Sequence, residues 1–148
     1  MLSGLFVLLG AAQVAQAGQS DDLAQIGDLL SVRYPAVVNA GDAPGYAGLF
    51  TEDGARIPPG RAVEGGRRAI AAAVEKLFKA ITLDVALRVT ELVVDGSLGF
   101  ASADVTGTRT VKASGEVGRQ DARVIFVLQR AGGHWLIHRQ IWNGGPKP

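Results

Sequence analysis

The chain has no cysteine, two histidines and one methionine in 148 residues. Without a thiol there is no disulfide, thiolate zinc site, cysteine nucleophile or lipid-anchored lipoprotein. Two histidines, one of them (His134) beside a Gly-Gly turn, are too few for a histidine-rich metal site, and no metal is expected. Neither sign of charge prevails: 15 basic and 14 acidic side chains leave a formal net charge of +1. Such a balance offers no basic face, so nucleic acid is not expected as a partner. Long apolar runs are missing as well. Leu5–Leu9 falls far short of the ~20 residues a membrane-spanning helix needs. There is no Gly-x-Ser-x-Gly elbow, no dinucleotide fingerprint and no phosphate loop ending in Gly-Lys-Ser/Thr. Any chemistry would therefore be cofactor-free proton transfer, hydration or hydrolysis.

Met1 to Ser20 carries no charged residue. Its apolar run leads to Ala15-Gln16-Ala17, the small-x-small pattern of a signal peptidase site. Residues 1–17 are accordingly expected to be a signal peptide, although no Lys or Arg precedes the apolar run. Cleavage would leave Gly18 first. The mature protein is then expected to be periplasmic or secreted, with no stable membrane anchor after processing.

The rest of the chain has the length of one domain. Asp21 or Asp22 is a candidate cap for a helix with Leu23, Ile26, Leu30 and Tyr34 at helical spacing, and Pro35 is expected to kink or end it. Asn39-Ala40-Gly41 breaks the chain. Asp42 can then cap a short second helix presenting Tyr46, Leu49 and Phe50 on one side. Thr51 to Gly66 reads as loop with one short strand at Ala55–Ile57, which Pro58-Pro59-Gly60 would stop. A third helix over residues 67–80 buries Ile70, Val74, Leu77 and Phe78. The period then changes to two, giving candidate strands at 83–94, 99–111, 119–130 and 134–142. Asp95-Gly96, Ser114-Gly115 and Gly132-Gly133 supply the turns between them.

Several separated segments carry a resemblance. They are Asp42…Tyr46-Ala-Gly-Leu-Phe-Thr-Glu-Asp53, Pro58-Pro-Gly60, Glu64-Gly-Gly-Arg67…Ile70, Val124-Ile-Phe-Val-Leu-Gln-Arg130, Gly133-His-Trp135 and Ile141-Trp-Asn143. In order and spacing they resemble the SnoaL-like (DUF4440) branch of the nuclear transport factor 2-like (NTF2-like) superfamily, over residues 22–144. The resemblance implies an α+β fold of the NTF2-like or cystatin-like kind: a cone-shaped barrel of N-terminal helices packed on a curved antiparallel sheet. It further implies a pocket at the cone's open end and a homodimer formed through the sheet's outer face. Isomerases, cyclases, dehydratases and proteins that only bind share this fold, so the fold alone does not name a function.

In a cone of this kind an acid–base residue would be a carboxylate or imidazole held in an apolar pocket. The catalytic candidates are Asp104 and His138. Period two puts Phe100, Ser102, Asp104, Thr106 and Thr108 on one strand face, either lining the cone or facing solvent or a partner. His138 is expected to share a face with Leu136, Gln140 and Trp142. The ligand-binding candidates are Tyr46, Phe50, Ile57, Trp135, Gln140, Trp142 and Asn143, the aromatic, apolar and amide groups expected near the cavity. Asp53 and Glu52 are expected to cap a turn or pair with Arg56 or Arg67.

Three readings stay open at this stage. One is an exported dimer that binds a small, largely apolar molecule in a cone-shaped pocket, with catalysis undecided. Another is a cofactor-independent isomerase, cyclase or dehydratase with one buried acid–base residue. The last is a dimeric interaction module whose cone is filled by its own side chains.

Overall fold

The computed structural model describes residues 5–144 and begins with helix α1 (Leu5–Asp28). Of the expected leader, residues 1–4 lie outside the described residues. Among the described residues no helix is long and apolar enough to cross a membrane. A single π-helical turn, Leu29–Arg33, joins α1 to α2 (Tyr34–Ala40). Its cause lies in the spacing of the buried side chains. Ile26, Leu30, Tyr34 and Val38 recur every fourth residue and are all buried. Steps of four outrun an α-helix of 3.6 residues per turn, and one wider turn returns them to the same face. The wider turn also accommodates Pro35 in the first turn of α2. Of the kink or early end expected at Pro35, the early end does not occur: the helical segment continues to Gly41, whose φ of 66° closes it in the left-handed conformation.

Asp42 does cap a short helix, α3 (Ala43–Gly48): its carboxylate accepts from the Gly45 N–H at 2.9 Å. Asp22 does not cap α1. Its side chain instead accepts from the Trp135 indole N–H at 3.0 Å and from Arg130, pinning the helix to the end of the sheet.

Strand β1 (Phe50–Ile57) is longer than the expected strand at 55–57 and takes in Thr51–Gly54, read as loop. Glu52-Asp53-Gly54 has little strand propensity, yet β1 is held from both sides. It runs parallel to β7 (His134–Gly144) and antiparallel to β2 (Glu64–Gly65). Pro58 follows its last residue. Gly66, at φ 83°, then turns the chain into α4 (Arg67–Ala80), which buries Ile70, Val74 and Phe78.

The long strands β3 (Ile81–Asp95) and β4 (Leu98–Val111) form a hairpin, with β6 (Ala122–Ala131) and β7 added antiparallel. The strand expected at 119–130 is divided: Val117–Arg119 forms a separate short strand, β5, on β4. The sheet order is β2-β1-β7-β6-β4-β3, with helices laid over one face of the curved sheet. Register partners in neighbouring strands share a face. One covered row runs Leu92, Ala101, Phe126, Gln140, Arg56, Glu64 across the strands in that order, from β3 to β2. The row beside it holds Val89, Ala103, Val124 and Trp142. Opposite-facing rows hold Arg88, Asp104, Arg123 and Asn143, then Ser102, Ile125, Ile141 and Ile57.

Candidate functional site

Between the helices and the covered face lies a cavity of about 110 Å³. Val38, Val74, Phe78, Val85, Val105 and Val124 supply apolar wall. The half-buried Leu77, Leu83, Gln120 and Trp142 mark its rim. Its buried polar groups come from four elements: Tyr34 from α2, Tyr46 from α3, Arg56 from β1 and Gln140 from β7.

These groups are tied together. Tyr46 Oη donates to Gln140 Oε1 at 2.6 Å, and Gln140 Nε2 donates to Tyr34 Oη at 2.8 Å. The two hydroxyl oxygens lie 3.4 Å apart. All three residues are buried, so each bond replaces water that burial removed. Desolvation pushes the Tyr46 hydroxyl well above its ordinary range. The neighbouring Tyr34 adds to the rise and Arg56 opposes it. Tyr46 therefore stays a protonated donor at neutral pH.

Arg56 is 6% exposed and stacks against two aromatic rings. Its guanidinium carbon lies 5.3 Å from the Tyr46 ring centroid and 4.9 Å from that of Trp142. Its charge is met by Glu64, with Nη1 2.8 Å from Oε2. The approach is close but poorly directed: Glu64 Oε2 gains no well-formed hydrogen bond, and the buried Arg56 Nε–H has no acceptor. The pair cancels charge while leaving hydrogen-bonding capacity unused.

Of the sequence-chosen residues, Tyr46, Gln140 and Trp142 meet at the cavity. The others lie elsewhere. Phe50 is fully buried beside Ile137 and does not reach the lining. Trp135 is spent on Asp22, with Arg130 stacked on its ring at 5.1 Å. Ile57 and Asn143 belong to opposite-facing rows, next to Ile141 and Arg123. Asp104 also faces away from the cavity, 2.8 Å from Arg88 and 4.0 Å from Arg123. The alternation that grouped it with Ser102 was sound, but the helices cover the other face, that of Ala101, Ala103 and Val105.

His138 corrects the expectation in a different way. The β6 ladder passes from Leu128↔Ile137 to Val127↔Arg139, so His138 is an extra residue in β7. Side-chain alternation resets there. Trp135 and Ile137 point inward before it, Gln140 and Trp142 after it. His138 and Gln140 therefore do not share a face. The His138 Nδ1 lies 3.0 Å from Thr51 Oγ1 and 3.7 Å from Asp53 Oδ1. Thr51, followed by Asp53's own backbone N–H, hydrogen-bonds the Asp53 carboxylate and holds its pKa below the usual value. Glu52 pairs with Arg67 at 2.9 Å.

Sequence reasoning passed over Tyr34 and Arg56 as site residues. Tyr34 looked like one more apolar position on a helix. Arg56 looked like a partner for Asp53. The available signal was a cation two residues after a glycine in an otherwise apolar strand segment, ending at a double proline.

A cone of helices on a curved, mostly antiparallel sheet, with a small cavity between the layers, defines the NTF2-like class. Within it, the chain belongs to the SnoaL-like domain family, whose sequence model matches residues 32–138. That match is to the SnoaL-like model, not to DUF4440 specifically. A ketosteroid isomerase-like protein from Erwinia carotovora atroseptica is 26% identical, with 78% of this chain and 91% of that one covered at TM-score 0.72. An NTF2-like protein with a cystatin-like fold from Novosphingobium aromaticivorans is 24% identical, covering 96% and 90% at TM-score 0.71. An NTF2-like superfamily protein from Salmonella enterica serovar Typhimurium is 21% identical, covering 78% and 85% at TM-score 0.67. The latter two likenesses concern fold alone. No curated protein matches the chain.

Proposed function

We propose that this protein is exported and binds a small, largely apolar molecule in its cone without transforming it. The observation that carries this reading is the make-up of the cavity wall. Among the described lining residues none is Asp, Glu or His, while apolar walls surround a compact hydrogen-bonded cluster. Such a site can hold and orient a ligand but has no general base near neutral pH. The isomerase, cyclase or dehydratase reading depended on Asp104 or His138 entering the cavity, and neither lines it. An open volume likewise argues against a cone filled by its own side chains.

Dimerisation through the outer sheet face is part of the same proposal. Val93, Phe100 and Val127 form one row there, and Ile125 and Ile141 belong to the next. Val93 is 53% exposed and Ile141 42%, more apolar surface than a solvated strand face needs. Export rests on the uncharged leader ending in Ala15-Gln16-Ala17.

Native mass spectrometry on the protein purified from its own host tests all three parts. The expected result is a dimer of chains starting at Gly18 with a co-purified small molecule. A monomer with an empty cavity would overturn the binding and dimer readings. A retained leader would overturn export.

A further inference from the structure

Tyr34, Tyr46 and Gln140 together carry one hydroxyl proton for which the cluster offers only a long, weak acceptor. The amide offers one oxygen, which takes the Tyr46 proton at 2.6 Å, while its nitrogen donates to Tyr34 Oη at 2.8 Å. The Tyr34 proton is left with only the Tyr46 oxygen, 3.4 Å away and too distant for a strong O–H···O bond. Rotating the amide by half a turn exchanges the two tyrosines and changes nothing else. One phenolic O–H stays without a close acceptor either way: Arg56 only donates, and Gln120, at the rim, makes no hydrogen bond to either tyrosine. The polar end of the cavity thus asks for an acceptor.

Charge and size narrow the class. The Arg56 charge is already met by Glu64 at 2.8 Å, and both side chains are largely buried. A carboxylate ligand would add a third, uncompensated buried charge. Burial also disfavours a phenolate at Tyr46, evidence that this pocket penalises anions. The volume of about 110 Å³ is below the roughly 150 Å³ void that accommodates benzene. One ring seated with part of itself at the Leu77–Trp142 rim is what the space admits; a fused polycycle is not.

Resting on the binding reading above, we propose that the occupant is a neutral, single-ring ketone or aldehyde whose carbonyl oxygen accepts the spare tyrosine proton.

The test is calorimetric titration of the full chain with acetophenone, ethylbenzene and benzoate. These are one-ring probes with a neutral acceptor, no acceptor and an anionic acceptor. Acetophenone is expected to bind about tenfold more tightly than either of the others, the worth of one well-made hydrogen bond. The proton count makes a second demand: Tyr34→Phe and Tyr46→Phe should each shrink the preference over ethylbenzene, since the unspent donor is then a Gln140 amide N–H, weaker than a phenolic O–H. Equal binding of acetophenone and ethylbenzene by the unaltered chain would overturn the inference while leaving the cavity a ligand site. Tightest binding of benzoate would overturn its neutrality. Failure of all three probes, with a co-purified molecule still present in the native mass spectrum, would overturn the class alone. Failure of all three with no co-purified molecule would overturn the binding reading itself. A tyrosine variant that does not fold, judged by circular dichroism, leaves the comparison among probes decisive.

Discussion

Arg56 and Gln140 are register partners across the parallel junction between β1 and β7. That pairing sets the cavity's polar end, because each carries a second group with it. Gln140 brings the two tyrosines. Arg56 brings Glu64, its partner across the antiparallel pair β1–β2. A two-residue edge strand thus supplies the counter-charge for a buried cation of the cavity wall.

Removing Glu64 should therefore cost far more than its short strand suggests. Glu64→Ala would leave Arg56 charged, 6% exposed and unpaired. A loss of about 3 kcal/mol in urea-denaturation stability is expected, the scale for breaking a buried ion pair. The double change Arg56→Met with Glu64→Leu should recover most of it, since no buried charge is then left over. If Glu64→Ala shifts the midpoint no more than an exposed substitution does, the pair is not structurally important.

Tyr46 sets the alkaline limit of stability. Its folded pKa is raised above the unfolded value near 10, chiefly by burial. Between the two pKa values the unfolded chain gives up a proton that the folded chain retains, so unfolding is favoured as pH rises. This contribution is intact below pH ~10 and is lost as pH climbs through the folded pKa, at a slope of up to about 1.4 kcal/mol per pH unit. Denaturation midpoints measured from pH 8 to 11.5 should fall along this line in the unaltered protein. Tyr46→Phe should flatten the fall. An unchanged alkaline slope in that variant would assign the effect to other groups.

Asp104 was the most plausible catalyst in the sequence, and its substitution should be quiet. It faces away from the cavity and pairs with Arg88, whose side chain is 76% exposed. Asp104→Asn is expected to lower stability by about 0.5 kcal/mol, as exposed ion pairs do. It should leave acetophenone affinity unchanged within twofold. A loss of affinity without a loss of stability would put Asp104 back in contact with the ligand.

The contrast between Asp104 and Gln140 shows how far the sequence could be read. Helix α4 was legible because Ile70, Val74 and Phe78 recur at helical spacing. The hairpin turn at Gly96 was legible because φ is 60° there and glycine tolerates it. The common face of Ser102 and Asp104 followed from strand period alone. Which face the helices would cover was harder to read, because the inner residues of β4 are small (Ala101, Ala103, Val105) while a large apolar side chain, Phe100, lies on the outer face. Strand β1 was obscured for a related reason. Its middle, Glu52-Asp53-Gly54, is held as a strand by its neighbours β2 and β7, not by its own propensity. Tyr34 was hidden because it sits at helical spacing from Ile26 and Leu30 and reads as one more apolar position, while the Gln140 partner of its hydroxyl lies 106 residues away.

The remaining obstacle was one residue, and it can be tested by removing it. His138 is the extra residue that lets Trp135 and Ile137 on one side, and Gln140 and Trp142 on the other, all face inward. Deleting His138 would leave Ile137 and Gln140 two residues apart, so regular alternation would keep Trp135, Ile137, Gln140 and Trp142 all on the inner face with the β6 register intact. The deletion and His138→Ala each give up the Thr51 contact, for about 1 kcal/mol. Denaturant unfolding and probe titration should therefore find the two variants alike, with acetophenone affinity retained in both. A deletion that loses binding while the alanine variant keeps it would mean that the bulge itself, and not only the spacing of the inward residues, shapes the cavity.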